Sequence, residues 1–336
     1  MAQHGETSLP TVVQGLSVVR ASLVTVVCAA LVAVCVAAVS GCGGETRHNP
    51  DALPENTAAV PEKSDLPAAP ATATDTPAPS PAKITDQERL TAALRAKNPH
   101  FNGEVGVNGD GQNILAVEIH DPAIEDITPL AGLPLLALDL SRCHVSDLSP
   151  LRGMPLRELY LEDTGVHDIS SLRGMPLEKL YLSNTKVEDL SPLRDARQLR
   201  ELNLVGTQVS DLRPLSNAPL VMLWLNKCPV SDIGPLQTVP LVSLTLADTK
   251  VADLSPLKGH SLERLHIAHT PVSDLSALRW LRLTRLIFTP SRIEKGIEYA
   301  RGMETLGEID TDFGAPGTRP LSPAEFWPLY DAGKFK

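Results

Sequence analysis

LEKLYLSNTKVEDLSPL, residues 177–193, and LVSLTLADTKVADLSPL, residues 241–257, are two copies of one pattern, and that pattern decides the fold. Aligned on their first leucine, Leu135, Leu156, Leu177, Leu199, Leu220, Leu241, Leu262 and Leu283 recur every 21 residues, with a single interval of 22. Each unit reads L-x-x-L-x-L-x-x-T/C-x-V-x-D-L/I-x-x-L, most often with Ser-Pro before the last leucine, and an earlier unit begins at Ile114. The L-x-L segment has the period of two that marks a strand, with its leucines inward and its middle residue outward. The Asp that follows is placed to accept amides from a helical turn, and Pro suits the start of such a turn.

A motif of this length and composition, repeated this often, identifies leucine-rich repeats, in which each unit buries its apolar face only against its neighbours. The unit with D-L-S-P-L resembles the repeat of internalins and related bacterial surface proteins over residues 114–289. That resemblance implies an α/β solenoid. It would be a curved stack with a parallel β-sheet on the concave face, 3₁₀ turns on the convex side and helical caps at both ends.

Two columns look chemical and are read as scaffold. Asp126, Asp147, Asp168, Asp189, Asp211, Asp232, Asp253 and Asp274 recur once per unit, and repeated capping explains them better than a metal array or paired catalytic carboxylates. Cys143, Thr164, Thr185, Thr207, Cys228, Thr249 and Thr270 form a second column, expected to hydrogen-bond the adjacent turn's backbone. Cys143 and Cys228 stand four units apart, about 19 Å at one strand spacing per unit. A disulfide needs Cα atoms within about 7 Å, so both are expected to be buried thiols.

The outward middle position runs Glu118, Asp139, Tyr160, Tyr181, Asn203, Trp224, Thr245, His266 and Ile287. Only 4% of the chain is aromatic, so three large rings in one solvent-facing column mark a candidate hot spot. The flanking column runs Glu158, Lys179, Glu201, Met222, Ser243, Arg264 and Arg285 and turns from acidic to basic. The candidate partner-binding residues are therefore Tyr160, Tyr181, Trp224, Asn203, Glu158, Lys179, Arg264 and His266. His144, His167, His266 and His269 lack the convergent ligands of a metal site and are read as surface histidines. No metal and no cofactor are expected.

Flanking segments are expected to close the stack. Thr85-Asp86-Gln87-Glu88 has capping-box spacing, followed by Leu90, Ala93 and Leu94 on one helix face and Pro99 as a stop. Val105 and Val107 then precede a turn signal at Asn108-Gly109-Asp110-Gly111, so residues 85–113 form an N-terminal helix and hairpin. The spacing of Asn108, Asp110 and Gln112 lacks the features of a calcium loop. After Pro290, residues 290–336 form the C-terminal cap. A second capping box is expected at Ser291–Glu294, a helix face at Ile293, Ile297 and Ala300, and a stop at Gly302. A last strand is expected around Leu306 and Ile309, then a helix opened by Ser322-Pro323-Ala324-Glu325.

The N-terminal part carries an address. After Arg20 the run from Ala21 to Gly44 has no charge and ends in small residues, the layout of a secretory signal. Val39-Ser40-Gly41-Cys42 resembles the lipobox of bacterial lipoproteins, which implies cleavage before Cys42 and attachment of diacylglycerol to its thiol. An uncleaved membrane-spanning helix over the same apolar run is the alternative. Both place the remainder outside the cytoplasm: residues 1–41 as signal and 42–84 as a linker whose Pro, Ala and Thr content cannot bury a core.

The formal charge is −10 over 336 residues, which argues against nucleic acid as a partner. The sequence contains no Gly-rich phosphate loop, H-R-D loop, G-x-S-x-G or H-E-x-x-H. The expectation is a non-enzymatic envelope protein, anchored to the membrane through its lipid and binding a protein partner on the concave face. A structural spacer is the alternative, and an unrecognised extracytoplasmic enzyme stands third.

Overall fold

The computed structural model describes residues 87–311 and 319–335. The signal region, Cys42, the linker and Thr85 lie outside these residues. Among the described residues no helix is long and apolar enough to cross a membrane.

Helix α1 (Gln87–Lys97) leads into a hairpin of β1 (Gly106–Gly109) and β2 (Ile114–Glu118). Strands β3 (Ala137–Asp139), β4 (Glu158–Tyr160), β5 (Lys179–Tyr181), β6 (Glu201–Asn203), β7 (Met222–Trp224), β8 (Ser243–Thr245), β9 (Arg264–Ile267) and β10 (Arg285–Phe288) follow, one per unit. A last strand, β11 (Glu308–Asp310), lies between the short helix α2 (Ile297–Arg301) and helix α3 (Pro323–Asp331). All eleven strands form one sheet in chain order. Only the β1–β2 pair is antiparallel; β2 to β11 run parallel, each coil in register with the next.

The 21-residue period produces this register directly. Leu138, Leu159, Leu180, Leu202, Leu223, Leu244, Leu265 and Leu286 point inward and are at most 1% exposed. Each such leucine removed from water contributes about 1.5–3 kcal/mol. A 3₁₀ turn returns the chain in every repeat unit, as at Ser149–Leu151 and Ser191–Leu193. The aspartate column serves these turns. Each Asp stands two residues ahead of the first turn residue and accepts its amide at 2.7–2.9 Å, from Asp126 to Asp274.

The Thr/Cys column differs from the expectation. Thr164, Thr185, Thr207, Thr249 and Thr270 bond the carbonyl three residues back in their own unit, and Thr207 Oγ1 also lies 3.4 Å from Cys228 Sγ in the next coil. The thiols are the ones that cross: Cys143 Sγ contacts Ile119 O at 3.3 Å and Cys228 Sγ contacts Leu204 O at 2.9 Å, each in the preceding unit. Both cysteines are buried and neither is in a disulfide.

One residue earlier, Arg142, Asp163, Asn184, Lys227, Asp248 and His269 have φ between 57° and 67°, and Gly206 has φ 72°. This left-handed residue turns the chain off the strand. Its amide donates to the following coil, as from Asp163 to Ser183 O and from Asn184 to Val205 O. Four of the seven are Asp, Asn or Gly, the types that adopt this region most readily.

At the N-terminal end α1 buries Leu90 and Leu94, and Ala93 is half-buried. Asn98, 4% exposed, joins this cap to the first coil. Its Nδ2 donates to Leu94 O and Asp126 O, and its Oδ1 accepts from the amides of Glu125 and Asp126. The hairpin turn is held by Asp110, whose Oδ1 accepts the amides of Gln112 and Asn113 at 2.8 Å.

At the C-terminal end the expected capping box at Ser291–Glu294 does not form. Residues 290–292 make a 3₁₀ turn, and the amides of Glu294 and Lys295 instead bond Ser273 O. They extend the stack by half a coil. The helix starts later, at Ile297, after Gly296 with φ 80°, and ends at Gly302 as expected. Strand β11 and the Ser322/Glu325 capping box are present. Phe326 packs at 5.8 Å from Phe288 and 4.9 Å from Trp327, sealing the last coil.

Candidate binding face

One sheet face is filled by the leucine core, and the other carries the side chains of the two outward columns. Backbone pairing aligns Glu118, Asp139, Tyr160, Tyr181, Asn203, Trp224, Thr245, His266 and Ile287 in one row. Within that row the rings associate. Tyr160 and Tyr181 have centroids 5.0 Å apart at 39°, and Tyr181 and Trp224 are 5.9 Å apart at 41°.

The second distance is informative. Tyr181 and Trp224 sit two strands apart, about 9.6 Å at ordinary strand spacing, so their rings lean toward each other over the intervening Asn203. That explains a difference from the sequence expectation: Asn203 is only 5% exposed. Its Oδ1 accepts the Val205 amide, and in the row it stands between Tyr181 and Trp224. His266, also expected to be open to solvent, is 6% exposed. The accessible part of the row is the half-buried ring stripe together with Glu118 and Thr245.

A carboxylate collar holds the rings. Tyr160 Oη donates to Glu158 Oε2 at 3.0 Å, and Tyr181 Oη donates to Glu201 Oε2 at 2.8 Å. Burial, reinforced by Glu158 for Tyr160 and by Glu201 for Tyr181, pushes both phenols well above their ordinary value. They therefore stay protonated donors. Lys179 Nζ reaches Glu158 Oε1 at 3.3 Å, so the lysine offsets part of the collar's charge. With Glu162 in the next outward column, the rings sit in an acidic setting. At the other end Arg264 is exposed, and Arg285 pairs with Glu308 at 3.4 Å. The basic end expected from Arg264 and Arg285 is thus narrower, because β11 adds Glu308 and Asp310 to the two columns.

Of the four histidines expected at the surface, only His266 is buried. His144, His167 and His269 are exposed, and His269 Nδ1 lies 3.3 Å from Asp248. The cluster that the structure assembles is elsewhere: Glu118, His120 and Asp139. Its signal in the sequence was a histidine in the outward position after Glu118, one coil before Asp139. Cavities of about 780 and 340 Å³ lie against the two caps, beside α1 and beside α3, and the ring stripe lines neither.

The in-register ladder, with one strand and one 3₁₀ turn per 21 residues, settles the architecture. The fold is a leucine-rich repeat solenoid. Residues 177–217 match the family model described as Leucine Rich repeats (2 copies). Several solved structures are similar to the chain. Internalin C2 from Listeria monocytogenes is 23% identical, covering 60% of this chain and 92% of its own, with a TM-score of 0.49. An internalin F from the same organism is 22% identical over 66% of this chain and 80% of its own, with a TM-score of 0.42. A Leptospira interrogans leucine-rich repeat protein is 20% identical over 55% of this chain and 50% of its own, at 0.46. Among curated proteins no sequence matches the chain. These likenesses concern the solenoid; the ring stripe is described from this chain alone.

Proposed function

We propose that this protein binds a polypeptide partner across the open face of β4 to β7, without catalysing a reaction on it. The observation that carries this reading is the association of Tyr160, Tyr181 and Trp224 into one stripe on the uncovered side of the sheet. Strand preference accounts for aromatic residues in strands, but not for their gathering on the face that the core does not use. Rings already packed against one another lose little side-chain entropy on binding, and hot spots are rich in such residues. Glu158, Glu162 and Glu201 around them favour a segment carrying Arg or Lys, whose cation would lie over a ring and against a carboxylate. Asn203, Lys179, Arg264 and His266 then shape and border the contact.

The N-terminal sequence supports a location outside the cytoplasm, with lipid on Cys42 as the anchor and residues 42–84 as a spacer in front of the 85–113 cap, the 114–289 repeats and the 290–336 cap. Metabolic labelling with a fatty-acid analogue is expected to mark the wild type and not Cys42→Ser; equal labelling of both removes the anchor. For the binding face, the test is Tyr160→Ser, Tyr181→Ser and Trp224→Ser combined. Circular dichroism should retain the wild-type spectrum, and capture of the partner from envelope extract should fall at least tenfold. A folded triple variant that captures the same partner undiminished would overturn the reading.

A further inference from the structure

Beside the ring stripe, toward the N-terminal cap, the open face carries a second constellation. Glu118 and Asp139 are register partners across β2 and β3, and His120 follows Glu118 by two residues on the same side. His120 Nε2 lies 3.1 Å from Asp139 Oδ2, and its Nδ1 lies 3.6 Å from Glu118 Oε1. One ligand atom from each of the three residues falls within 4.8 Å of the others.

Asp139 is unusual in this group because it is both buried and oriented. Its side chain is 6% exposed. Its Oδ1 accepts both the Ser141 amide at 2.9 Å and Ser141 Oγ at 2.6 Å. The second oxygen, Oδ2, is thereby aimed at the imidazole. A carboxylate fixed through one oxygen and presenting the other is how outer-shell partners prepare a metal ligand. Two donors about 2.1 Å from one ion and roughly 100° apart are themselves about 3.2 Å apart, and the Nε2–Oδ2 separation is 3.1 Å. An ion therefore fits beside the Nε2–Oδ2 pair at their present separation once the imidazole turns its Nε2 lone pair toward it. Glu118, the more exposed carboxylate, supplies a third ligand by turning its side chain.

We propose that Glu118, His120 and Asp139 bind one divalent ion of the zinc class, with the remaining coordination positions open on the sheet face. The imidazole decides the class, since calcium and magnesium take oxygen donors. The site adjoins the ring stripe through Asp139 and Tyr160, which are register partners. Its existence does not depend on the ring stripe binding anything.

The test is calorimetric titration of the full chain with zinc chloride in a non-chelating buffer, with cobalt absorption as a second readout. One saturable site per chain is expected. His120→Ala and Glu118→Gln should each weaken zinc about tenfold or more, while His144→Ala, an exposed histidine elsewhere, stays within about twofold. His120 is exposed, so its alanine variant keeps the fold, which circular dichroism checks. The proposal is overturned if the wild type shows no saturable zinc binding, if His120→Ala binds as the wild type does, or if calcium competes as well as zinc.

Discussion

Replacing Asn98 by Ala should release the N-terminal cap while leaving distant coils as they are. The side chain makes four hydrogen bonds, all at 2.9 Å, to Leu94 O, Asp126 O and the amides of Glu125 and Asp126. Leu94 O keeps the backbone amide of residue 98 as a donor. Three groups therefore lose this partner: the amides of Glu125 and Asp126, and Asp126 O. At about 1 kcal/mol for each bond the cost is about 3 kcal/mol. Glu125 is exposed and Asp126 half-buried, so water reaches both once the cap loosens, which keeps the cost from rising further. In a stack coupled only through neighbours the loss stays local. A 3 kcal/mol change corresponds to an approximately hundredfold change in the opening equilibrium. Hydrogen exchange by mass spectrometry should show it in peptides covering 87–97 and 114–130, while peptides covering β6 and β7 exchange at the wild-type rate. Asn113→Ala is the control, since that side chain makes one exposed contact of 3.4 Å to Asp110. Acceleration below about threefold, or acceleration spread evenly over all coils, would refute the assignment of Asn98 as the clasp.

Two further outcomes follow from the same geometry. Gly296→Ala places a Cβ 2.4 Å from the Ser276 amide nitrogen on a residue with φ 80°; the left-handed conformation alone costs about 1–2 kcal/mol, so urea denaturation should show a loss above 2 kcal/mol, and a neutral variant would mean that residues 293–296 do not continue the stack. Cys143, pushed up to about 11 chiefly by burial, and Cys228, also raised by burial, should resist iodoacetamide at pH 8 in the folded protein and react once it is unfolded. Peptide mapping that finds either labelled in the native state would contradict the burial.

The repeat made most of the architecture legible. Leu180 and Leu244 declare their inward direction by alternation, and Asp189 and Asp253 declare the turn by their place before Ser-Pro. The ring column was legible for the same reason, because a fixed period assigns every residue to a face. Boundary residues were harder. Ser291–Glu294 has the composition of a helix start, but Ser273 O offers its amides a partner from the neighbouring coil, and only the fold reveals that offer. Nothing in the sequence around Asn98, which stands before Pro99, shows that Glu125 and Asp126 come to meet it. His120 has Glu118 two residues back, but its second partner, Asp139, comes from the neighbouring strand, which a local pattern does not show.

The sequence by itself determined that this chain stacks, coil on coil, with leucine inside and Tyr160, Tyr181 and Trp224 on the free side. Period is a property of the chain, and burial of apolar surface follows from period alone. Tertiary structure decided what those free side chains do to each other: that the rings close over Asn203, that Glu158 and Glu201 hold the phenols, and that Glu118, His120 and Asp139 converge. Most of these contacts join residues about 20 positions apart or reach across two strands, and two, Glu158 with Tyr160 and Glu118 with His120, lie within one strand segment. Their distances depend on rotamers and packing, which a repeat pattern does not encode.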